Sequence, residues 1–203
     1  MTLFIDNEIV GKVLTMEGTI STLEKAYADM VHEEAVCRPR IDIQIPTSDP
    51  KKAYQWGTME GGAVGGYFAI RMKSDIIYET EYNGVRSQEK YCTRPGLFCS
   101  LIFLLDVETG TPLAFINDGV LQHMRVGADG GIGVKYMSRK NSEVVGMIGS
   151  GGMARTHLDA FMCVRNIKKV KVFSPTQANR EHFAEEIRNK HGLEVIVCNE
   201  PEK

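Results

Sequence analysis

Residues Glu143–Ala154 read EVVGMIGSGGMA, and the prediction of the fold starts from this stretch. A short apolar run ends in a glycine-rich turn, and a segment compatible with a helix follows directly. In this G-x-G-x-x-A spacing, Gly149 permits a sharp turn, Gly151 lets backbone approach a phosphate, and Ala154 allows close packing of helix on strand. The free N–H groups and the dipole of a helix N-terminus favour an anion. The stretch therefore predicts a strand–turn–helix unit that binds the pyrophosphate of a dinucleotide.

The sequence after the turn strengthens this motif, which is weak evidence alone because glycines often serve only a turn. A segment with apolar residues at helical spacing leads to the apolar run Val170–Phe173. A second amphipathic segment around Phe183 and Ile187 then leads to another apolar run, Val195–Cys198. This β-α-β-α-β order is the mononucleotide-binding half of a Rossmann sheet. Because the chain stops just after the third strand, we expect a fragment of a longer protein.

The composition is that of an ordinary globular protein. Among 203 residues, 24 Lys and Arg accompany 26 Asp and Glu, so the net charge of −2 predicts no nucleic-acid or anionic-membrane partner. The longest apolar run, Leu101–Leu105, is too short to cross a bilayer, and the N-terminus lacks the features of a signal peptide. Five scattered cysteines predict reduced core thiols in a cytoplasmic protein. No cluster of His, Cys or carboxylates has the spacing of metal ligands, so no metal is predicted.

The first part of the chain predicts a domain of the α+β class. A short helical segment from Asp6 and a longer one over Ile20–Val31 come first. In Ile41–Pro46, three isoleucines alternate with polar residues, which predicts a half-buried strand. Further strands are predicted over 54–59, 67–72, 97–107 and 113–116.

Three segments of this domain do not show the alternation of apolar and polar residues that is typical of a strand with one buried face. Residues 97–107 are almost continuously apolar, so this strand should be central and covered on both faces. The glycine-rich residues 61–66 lack a following Lys-Ser/Thr pair, which favours a sheet corner or a close backbone contact over a phosphate loop. Residues 76–95 are polar and predict an irregular excursion over the surface or near a site.

A connecting segment from Asp118 to Arg139 carries the second informative pattern. Asn117-Asp118-Gly119 ends a strand, and a helix with four glycines, at 127, 130, 131 and 133, begins after it. Each of these glycines weakens a free helix by about 1 kcal/mol relative to alanine. We therefore expect this helix to pack tightly against another backbone or a ligand. Close packing alone does not explain the choice of Arg125 beside the glycines.

Several motifs together resemble the ornithine cyclodeaminase/mu-crystallin family. They are Arg38-Pro39-Arg40, residues 108–114 (ETGTPLA), Asp118-Gly119 followed by Arg125, and residues 147–154 (MIGSGGMA). The resemblance covers essentially the whole chain and implies a homodimer of two-domain subunits. It implies a substrate-binding and dimerisation domain over 1–121, a connecting helix over 122–142, and the first half of a Rossmann NAD(P)-binding domain over 143–203. The fold class is therefore α/β, with an α+β domain before a truncated Rossmann-type domain.

The resemblance also assigns roles to individual residues. Arg40 matches the arginine that holds the substrate carboxylate, a task suited to a planar bidentate donor. Arg71 occupies the place of a family lysine near the reacting carbon, and, because arginine stays protonated, it would orient substrate or stabilise charge there. Lys73, on the same strand face, is the alternative source of that amine. Arg125 matches an arginine that faces both substrate and cofactor, and Val126 replaces a common threonine beside the cofactor phosphate.

The cofactor is predicted to be a nicotinamide nucleotide, NADP in preference to NAD. Its pyrophosphate would lie at Gly149, Ser150, Gly151, Gly152, Met153 and Ala154. NAD-binding proteins hold the ribose 2′-hydroxyl with an acidic residue about 20 positions after the turn. No Asp or Glu lies between Asp159 and Glu181, whereas Ser174, Thr176 and Arg180 could donate to a 2′-phosphate. The alternative is that Pro175 and Thr176 only start the next helix.

Two functions are compatible with these residues. The first is an enzyme that exchanges hydride between nicotinamide and the α-carbon of an amino acid or its imine, as cyclodeaminases, amino-acid dehydrogenases and imine reductases do. The second is a protein of mu-crystallin type that binds NADPH and a small ligand without turnover. The pair Arg40 and Arg125 favours the enzyme, because a cofactor store needs no carboxylate clamp. The absence of the family lysine at position 71 favours the binding protein.

Overall fold

The computed structural model describes residues 1–82, 85–93 and 99–201. They form two compact units: unit 1 is Met1–Leu14 with Lys25–Gln122, and unit 2 is Thr15–Glu24 with His123–Lys203. In chain order the elements are β1 (Leu3–Ile5), α1 (Asn7–Val13), α2 (Met16–Val31), β2 (Ala35–Cys37), β3 (Ile41–Pro46), β4 (Lys52–Ala63), β5 (Tyr67–Tyr82), β6 (Val85–Tyr91), β7 (Leu101–Asp106), β8 (Pro112–Asn117), α3 (Asp118–Met137), β9 (Val144–Ile148), α4 (Gly152–Val164), β10 (Lys169–Phe173), α5 (Gln177–His191) and β11 (Glu194–Val197). The predicted α/β class is confirmed.

Unit 1 is built on a mixed sheet of eight strands in its described part. The order is β1-β8-β7-β5-β4-β2, while β3 also pairs with β4 and β6 with β5. The strand β1, which the sequence pattern did not predict, runs parallel to β8, and the other pairs are antiparallel. Gly65 at the β4–β5 turn has φ +63°, a conformation for which glycine is suited. The glycine-rich segment is therefore the turn of a hairpin and the end of β4.

The two faces of this sheet differ in chemistry because successive side chains of a strand point to opposite faces. The register aligns Asp42 of β3 with Gly57 of β4, and Gly57 with Lys73 of β5. Arg40 and Arg71, two residues away on their own segments, share this polar face. The isoleucines of β3 lie on the opposite, apolar face.

Two predictions about unit 1 are wrong. The isoleucine face of β3 is exposed and not packed in a core: Ile41, Ile43 and Ile45 are 47%, 50% and 53% exposed, because no described element of the chain covers this face. Within the predicted irregular segment 76–95, the described residues 76–82 and 85–91 are regular, since β5 continues to residue 82 and pairs with β6. Among the described strands β6 pairs only with β5, so it lies at an edge of the sheet, where its side chains can be polar.

The apolar run predicted over 97–107 is β7 from Leu101 onward. It lies between β5 and β8, as expected of a central strand. Only Ile102 in it is fully buried, so covering on both faces is incomplete in the described chain. Phe103 stacks on Phe115 of β8 with ring centroids 4.6 Å apart. Residues 94–98 of these two predicted segments lie outside the described residues.

Unit 2 contains the predicted β-α-β-α-β unit. Its parallel sheet has the order β11-β10-β9. A helix between consecutive parallel strands is the expected crossover connection, and α4 and α5 occupy these positions. The core between sheet and helices includes six residues that are at most 1% exposed, namely Leu158, Val170, Val172, Phe183, Ala184 and Ile187.

The glycines of α3 allow a close helix–helix contact inside unit 2. A Cβ at Gly127 would lie 2.5 Å from the backbone oxygen of Thr156 in α4. At Gly130 it would lie 2.5 Å from the His157 ring. Gly133 is different, because its Cβ would meet nothing within 4 Å. The expected tight packing against another backbone is therefore observed, and α4 supplies that backbone.

The cysteines differ from the prediction of reduced core thiols. Cys92 and Cys99 form a disulfide with Cα atoms 5.7 Å apart, and Cys37 and Cys163 are exposed. Only Cys198 fits a buried free thiol among the described residues. The disulfide closes a contact between positions seven apart, which scattered spacing does not reveal. Over the described ranges, no helix is long and apolar enough to span a bilayer.

Candidate active site

The glycine turn of unit 2 has the geometry of an anion site. Gly149 follows β9 with φ +107°, a region that side-chain-bearing residues rarely adopt. A Cβ at Gly149 or Gly151 would meet nothing within 4 Å, so the space beside the turn is open. Gly151 caps α4 without a side-chain hydrogen bond, and the first turn holds no acidic residue. Ala154 is buried in the core, as predicted for the third position of the motif, and Met153 lies in the first turn of α4. The turn fits a phosphate.

The end of β10 lies next to this turn. Ser150 Oγ donates to Ser174 Oγ at 2.9 Å, and Ser174 Oγ is 3.3 Å from the Thr176 carbonyl oxygen. Arg180 is 7% exposed and donates to the carbonyl oxygen of Ser174 and to Asn199 Oδ1. In the described part of the chain no carboxylate contacts this guanidinium. The buried side chains of Ser174 and Arg180 thus hold the loop 174–176 through hydrogen bonds. Thr176 is exposed and is the N-cap of α5.

The predicted residues of α3 lie in its first half. Arg125 is exposed, and its Nη1 pairs with Asp129 at 2.7 Å, one helical turn later. Val126 is half-buried. The ring of His123 packs against Gly152, 3.2 Å from where a Cβ would stand. His123 therefore contacts the start of α4 at the glycine turn.

In unit 1, Asp42 joins two of the predicted cations. Its Oδ1 accepts from Lys73 Nζ at 2.8 Å, and its Oδ2 accepts from Arg40 Nε at 2.9 Å. Lys73 is 3% exposed and also donates to Gln55 Oε1 at 3.0 Å. A Cβ at Gly57 would overlap Asp42 Oδ1, so glycine at this position lets the carboxylate reach the buried amine. The Lys73 ammonium holds the pKa of Asp42 below its usual range, with Arg40 acting in the same direction.

Arg71 is fixed by a second carboxylate. Its Nε pairs with Asp118, which is 1% exposed at the start of α3, and its Nη2 donates to Gln122 Oε1 at 2.7 Å. Asn7 Oδ1 accepts from the backbone N–H of Val120, which secures this helix start. Arg71 is thus a rigid cation held by two side chains of α3.

The polar face of unit 1 carries an excess of positive charge. Together with Lys90 and buried Asp75, which pair on the same face, four cations (Arg40, Arg71, Lys73 and Lys90) accompany three carboxylates (Asp42, Asp75 and Asp118). The remaining positive charge suits a ligand with one carboxylate. Of the three predicted cations Arg40, Arg71 and Lys73, only Arg40 is substantially exposed, with a side chain 52% accessible, so its guanidinium is the one that a ligand can reach.

The sequence interpretation gave no role in these sites to three residues that organise them, namely Asp42, Asp118 and Arg155. Asp42 was recognisable, because Arg40 and Asp42 have the two-residue spacing that places side chains on one strand face. Asp118 was noticed as part of a turn, and its pairing with Arg71 depends on the tertiary fold. Arg155, directly after the glycine turn, had no assigned role. In the described residues no group of three His, Cys, Asp or Glu could hold a metal ion.

Comparison with known proteins identifies the fold family. The ornithine cyclodeaminase/mu-crystallin family model matches residues 72–203. The chain belongs to this family. The family assignment agrees with the resemblance of the motifs, and the matched residues include Lys73 and the glycine turn.

Members of the ornithine cyclodeaminase/mu-crystallin family provide close structural neighbours. The Δ1-pyrroline-2-carboxylate reductase of Bacillus cereus (strain ATCC 14579) is 33% identical over 101 residues, 50% of this chain and 31% of that protein. The structure of the Thermococcus litoralis Δ1-pyrroline-2-carboxylate reductase in complex with NADH and L-proline has a TM-score of 0.78 and 28% identity, covering 97% of this chain and 57% of the other. An archaeal alanine dehydrogenase dimer with bound NAD has the same TM-score with 24% identity, covering 97% and 56%. The chain spans about half the length of the curated relatives that it matches along at least 90% of its own length.

Proposed function

We propose that the protein containing this chain is an NAD(P)-dependent enzyme that interconverts an α-amino acid and its α-imino acid. The observation that carries the proposal is the glycine turn Gly149–Gly152, which is open beside Gly149 and Gly151, has no side-chain hydrogen bond at the helix N-cap and fits the pyrophosphate of a dinucleotide. The polar face of unit 1 supports the binding of an amino-acid or imino-acid substrate, because its exposed Arg40 suits a carboxylate. The named relatives of the family reduce imino acids or oxidise amino acids.

Each predicted functional residue has a task in the proposed reaction. The bound nicotinamide supplies or accepts the hydride. Arg40 binds the substrate carboxylate with the edge of its guanidinium that Asp42 leaves open, and Asp42 keeps that guanidinium in place. Arg71 and Lys73 add positive charge from fixed positions, and Arg125 provides a further cation from α3. The contribution of the protein is mainly orientation of the α-carbon toward the nicotinamide.

We further propose NADP in preference to NAD. Arg180 places a buried positive charge under the loop 174–176, with no carboxylate in contact among the described residues. Thr176 presents its hydroxyl at the exposed N-terminus of α5. A 2′-phosphate would be stabilised by both, whereas the acidic residue that would hold a 2′-hydroxyl does not occur between Asp159 and Glu181.

Arg40→Ala is expected to weaken substrate binding about 100-fold, because a charge-assisted bidentate contact is lost. Fluorescence titration of NADPH and NADH onto the chain comes first, followed by titration of Δ1-pyrroline-2-carboxylate and L-proline onto the loaded protein. Hydride exchange is then followed as the absorbance of the reduced nicotinamide.

The matched control is Arg38→Ala, two residues earlier, where the guanidinium is already bound to both carboxylate oxygens of Glu60. The substrate affinity of Arg38→Ala should stay within about twofold of that of the unaltered chain. Equal losses in the two variants would contradict the role of Arg40. Tight NADPH binding without hydride exchange would favour the non-catalytic binding protein, and no binding of either nucleotide would remove the proposal.

We also propose that the apolar face of the unit 1 sheet binds a second copy of the chain. Phe4, Val36 and the three isoleucines of β3 lie on this one face, and each is at least 47% exposed. Several large apolar side chains exposed on one sheet face favour an interaction site there. The alanine dehydrogenase neighbour is a dimer, which favours a second copy over another partner.

Ile43→Lys is expected to raise the dimer dissociation constant at least about 100-fold, because the interface would bury an unpaired charge. The control is Val13→Lys, an apolar residue of α1 that is 71% exposed and lies off the sheet. Analytical ultracentrifugation over a concentration series distinguishes the two variants. A monomeric parent chain, or a dimer that survives Ile43→Lys unchanged, would contradict this interface.

A further inference from the structure

The half-buried Arg155 of α4 contacts the glycine turn. Its Nη1 lies 3.0 Å from the carbonyl oxygen of Ser150 and 3.0 Å from that of Gly151. Its Nε and Nη2 donate to the carboxylate of Glu186 in α5. Its guanidinium carbon is 5.3 Å from the centroid of the Phe183 ring. One side chain therefore ties the turn to the following helix of the unit.

We propose that Arg155, held by Glu186, is a positioning residue for the pyrophosphate-binding turn. The inference rests on the proposed function, in which this turn binds a dinucleotide. In a trans peptide the C=O and the N–H of the next residue point in opposite directions. No cis peptide occurs in the described chain. Since the Ser150 and Gly151 carbonyls point at Arg155, the N–H groups of Gly151 and Gly152 point away from it.

Glycine-rich backbone needs such a constraint more than other sequences do. Gly149, Gly151 and Gly152 have wide conformational freedom, which a free turn would lose on binding a phosphate. The two hydrogen bonds from Arg155 reduce that freedom before the ligand arrives. Preorganised donors favour binding because less entropy is lost in the complex.

Because Glu186 neutralises the charge of Arg155, we expect Arg155 to act by fixing the geometry of the turn and not by attracting the phosphate. The Glu186 carboxylate accepts three hydrogen-bond contacts from Nε and Nη2, which fix the plane of the guanidinium. The same contact lowers the pKa of Glu186 below its usual range, so the carboxylate stays charged and compensates the arginine. A neutral pair adds little attraction for phosphate, so its effect should depend weakly on salt.

Arg165 is a matched control within the same unit. It also donates to backbone carbonyl groups, those of Val134, Lys135 and Ser138 at the end of α3. It is thus a comparable arginine–carbonyl contact away from the glycine turn. Loss of either arginine removes similar hydrogen bonds, whereas only Arg155 touches the turn.

Arg155→Gln is expected to raise the dissociation constants of NADPH and ADP-ribose at least about 10-fold, with a salt dependence parallel to that of the unaltered chain. Arg155→Lys keeps the charge and loses the planar guanidinium, so its dissociation constants should lie between those of the unaltered chain and those of Arg155→Gln. Arg165→Gln should lower the thermal midpoint and leave both constants within about twofold. Amide hydrogen exchange at Ala154, whose N–H donates to the Gly151 carbonyl oxygen, should accelerate in Arg155→Gln and stay unchanged in Arg165→Gln.

The outcomes separate this inference from the function on which it rests. Unaltered nucleotide affinity and amide exchange in Arg155→Gln would overturn the positioning role while the proposed function stands. An equal loss of affinity in Arg165→Gln would also overturn it, since general destabilisation would explain both. If the unaltered chain binds neither NADPH, NADH nor ADP-ribose, the proposed function and this inference both fail.

Discussion

Gly127→Ala is expected to lower the free energy of unfolding of unit 2 by about 2–3 kcal/mol, as overpacking does at close contacts. The added Cβ would stand 2.5 Å from the Thr156 backbone oxygen and 2.6 Å from its carbonyl carbon. Backbone atoms of α4 cannot rotate away as a flexible side chain does. Helices α3 and α4 must therefore separate, which weakens the packing on both sides of the contact.

Gly133→Ala is the control for this prediction. Gly133 lies in the same helix, and its added Cβ would meet nothing within 4 Å. Here the substitution should stabilise the protein by about 0.5–1 kcal/mol, because alanine loses less backbone entropy in a helix. Urea denaturation followed by far-UV circular dichroism measures both variants. Equal effects of the two substitutions would show that the α3–α4 contact is not close in solution.

Asp42→Asn is expected to cost about 2–3 kcal/mol of stability, because it leaves the buried Lys73 ammonium without its carboxylate. The Lys73 side chain is 4% accessible, so water cannot replace that partner. Lys73→Met should cost less, since Arg40 still pairs with Asp42. The double variant should recover most of the loss, because replacing a buried pair by apolar groups is often neutral.

The double-mutant cycle measures the coupling of Asp42 and Lys73 directly. Additive losses would show that the two side chains do not interact. The pH dependence supplies a second test, because the pKa of folded Asp42 lies below its ordinary value. This stabilisation is present above the ordinary aspartate pKa, about 3.9, and is lost as the pH falls through the lower folded value. The stability difference between the parent and Asp42→Asn should therefore shrink in that acidic range.

The nucleotide-binding half of the fold was predictable because its signals are local. Gly149 and Gly151 mark the turn, and the change from strand to helix periodicity occurs within a few residues of them. The glycines of α3 likewise predicted a close backbone contact, although not that α4 provides it. The charged hairpin β5–β6 was missed, because its two strands are held by backbone pairing with each other and show no alternating apolar pattern.

The sequence by itself determined the order of the elements, the glycine turn and the family, because motifs and periodicities depend on neighbouring residues. Only the tertiary structure decided that Asp42 reaches Lys73 across Gly57, and that Asp118 holds Arg71. It also decided that Ser174 and Arg180 support their loop instead of facing solvent. These arrangements depend on strand register and helix packing, which bring together residues up to 47 positions apart, as for Arg71 and Asp118. Local sequence patterns carry no direct record of such contacts.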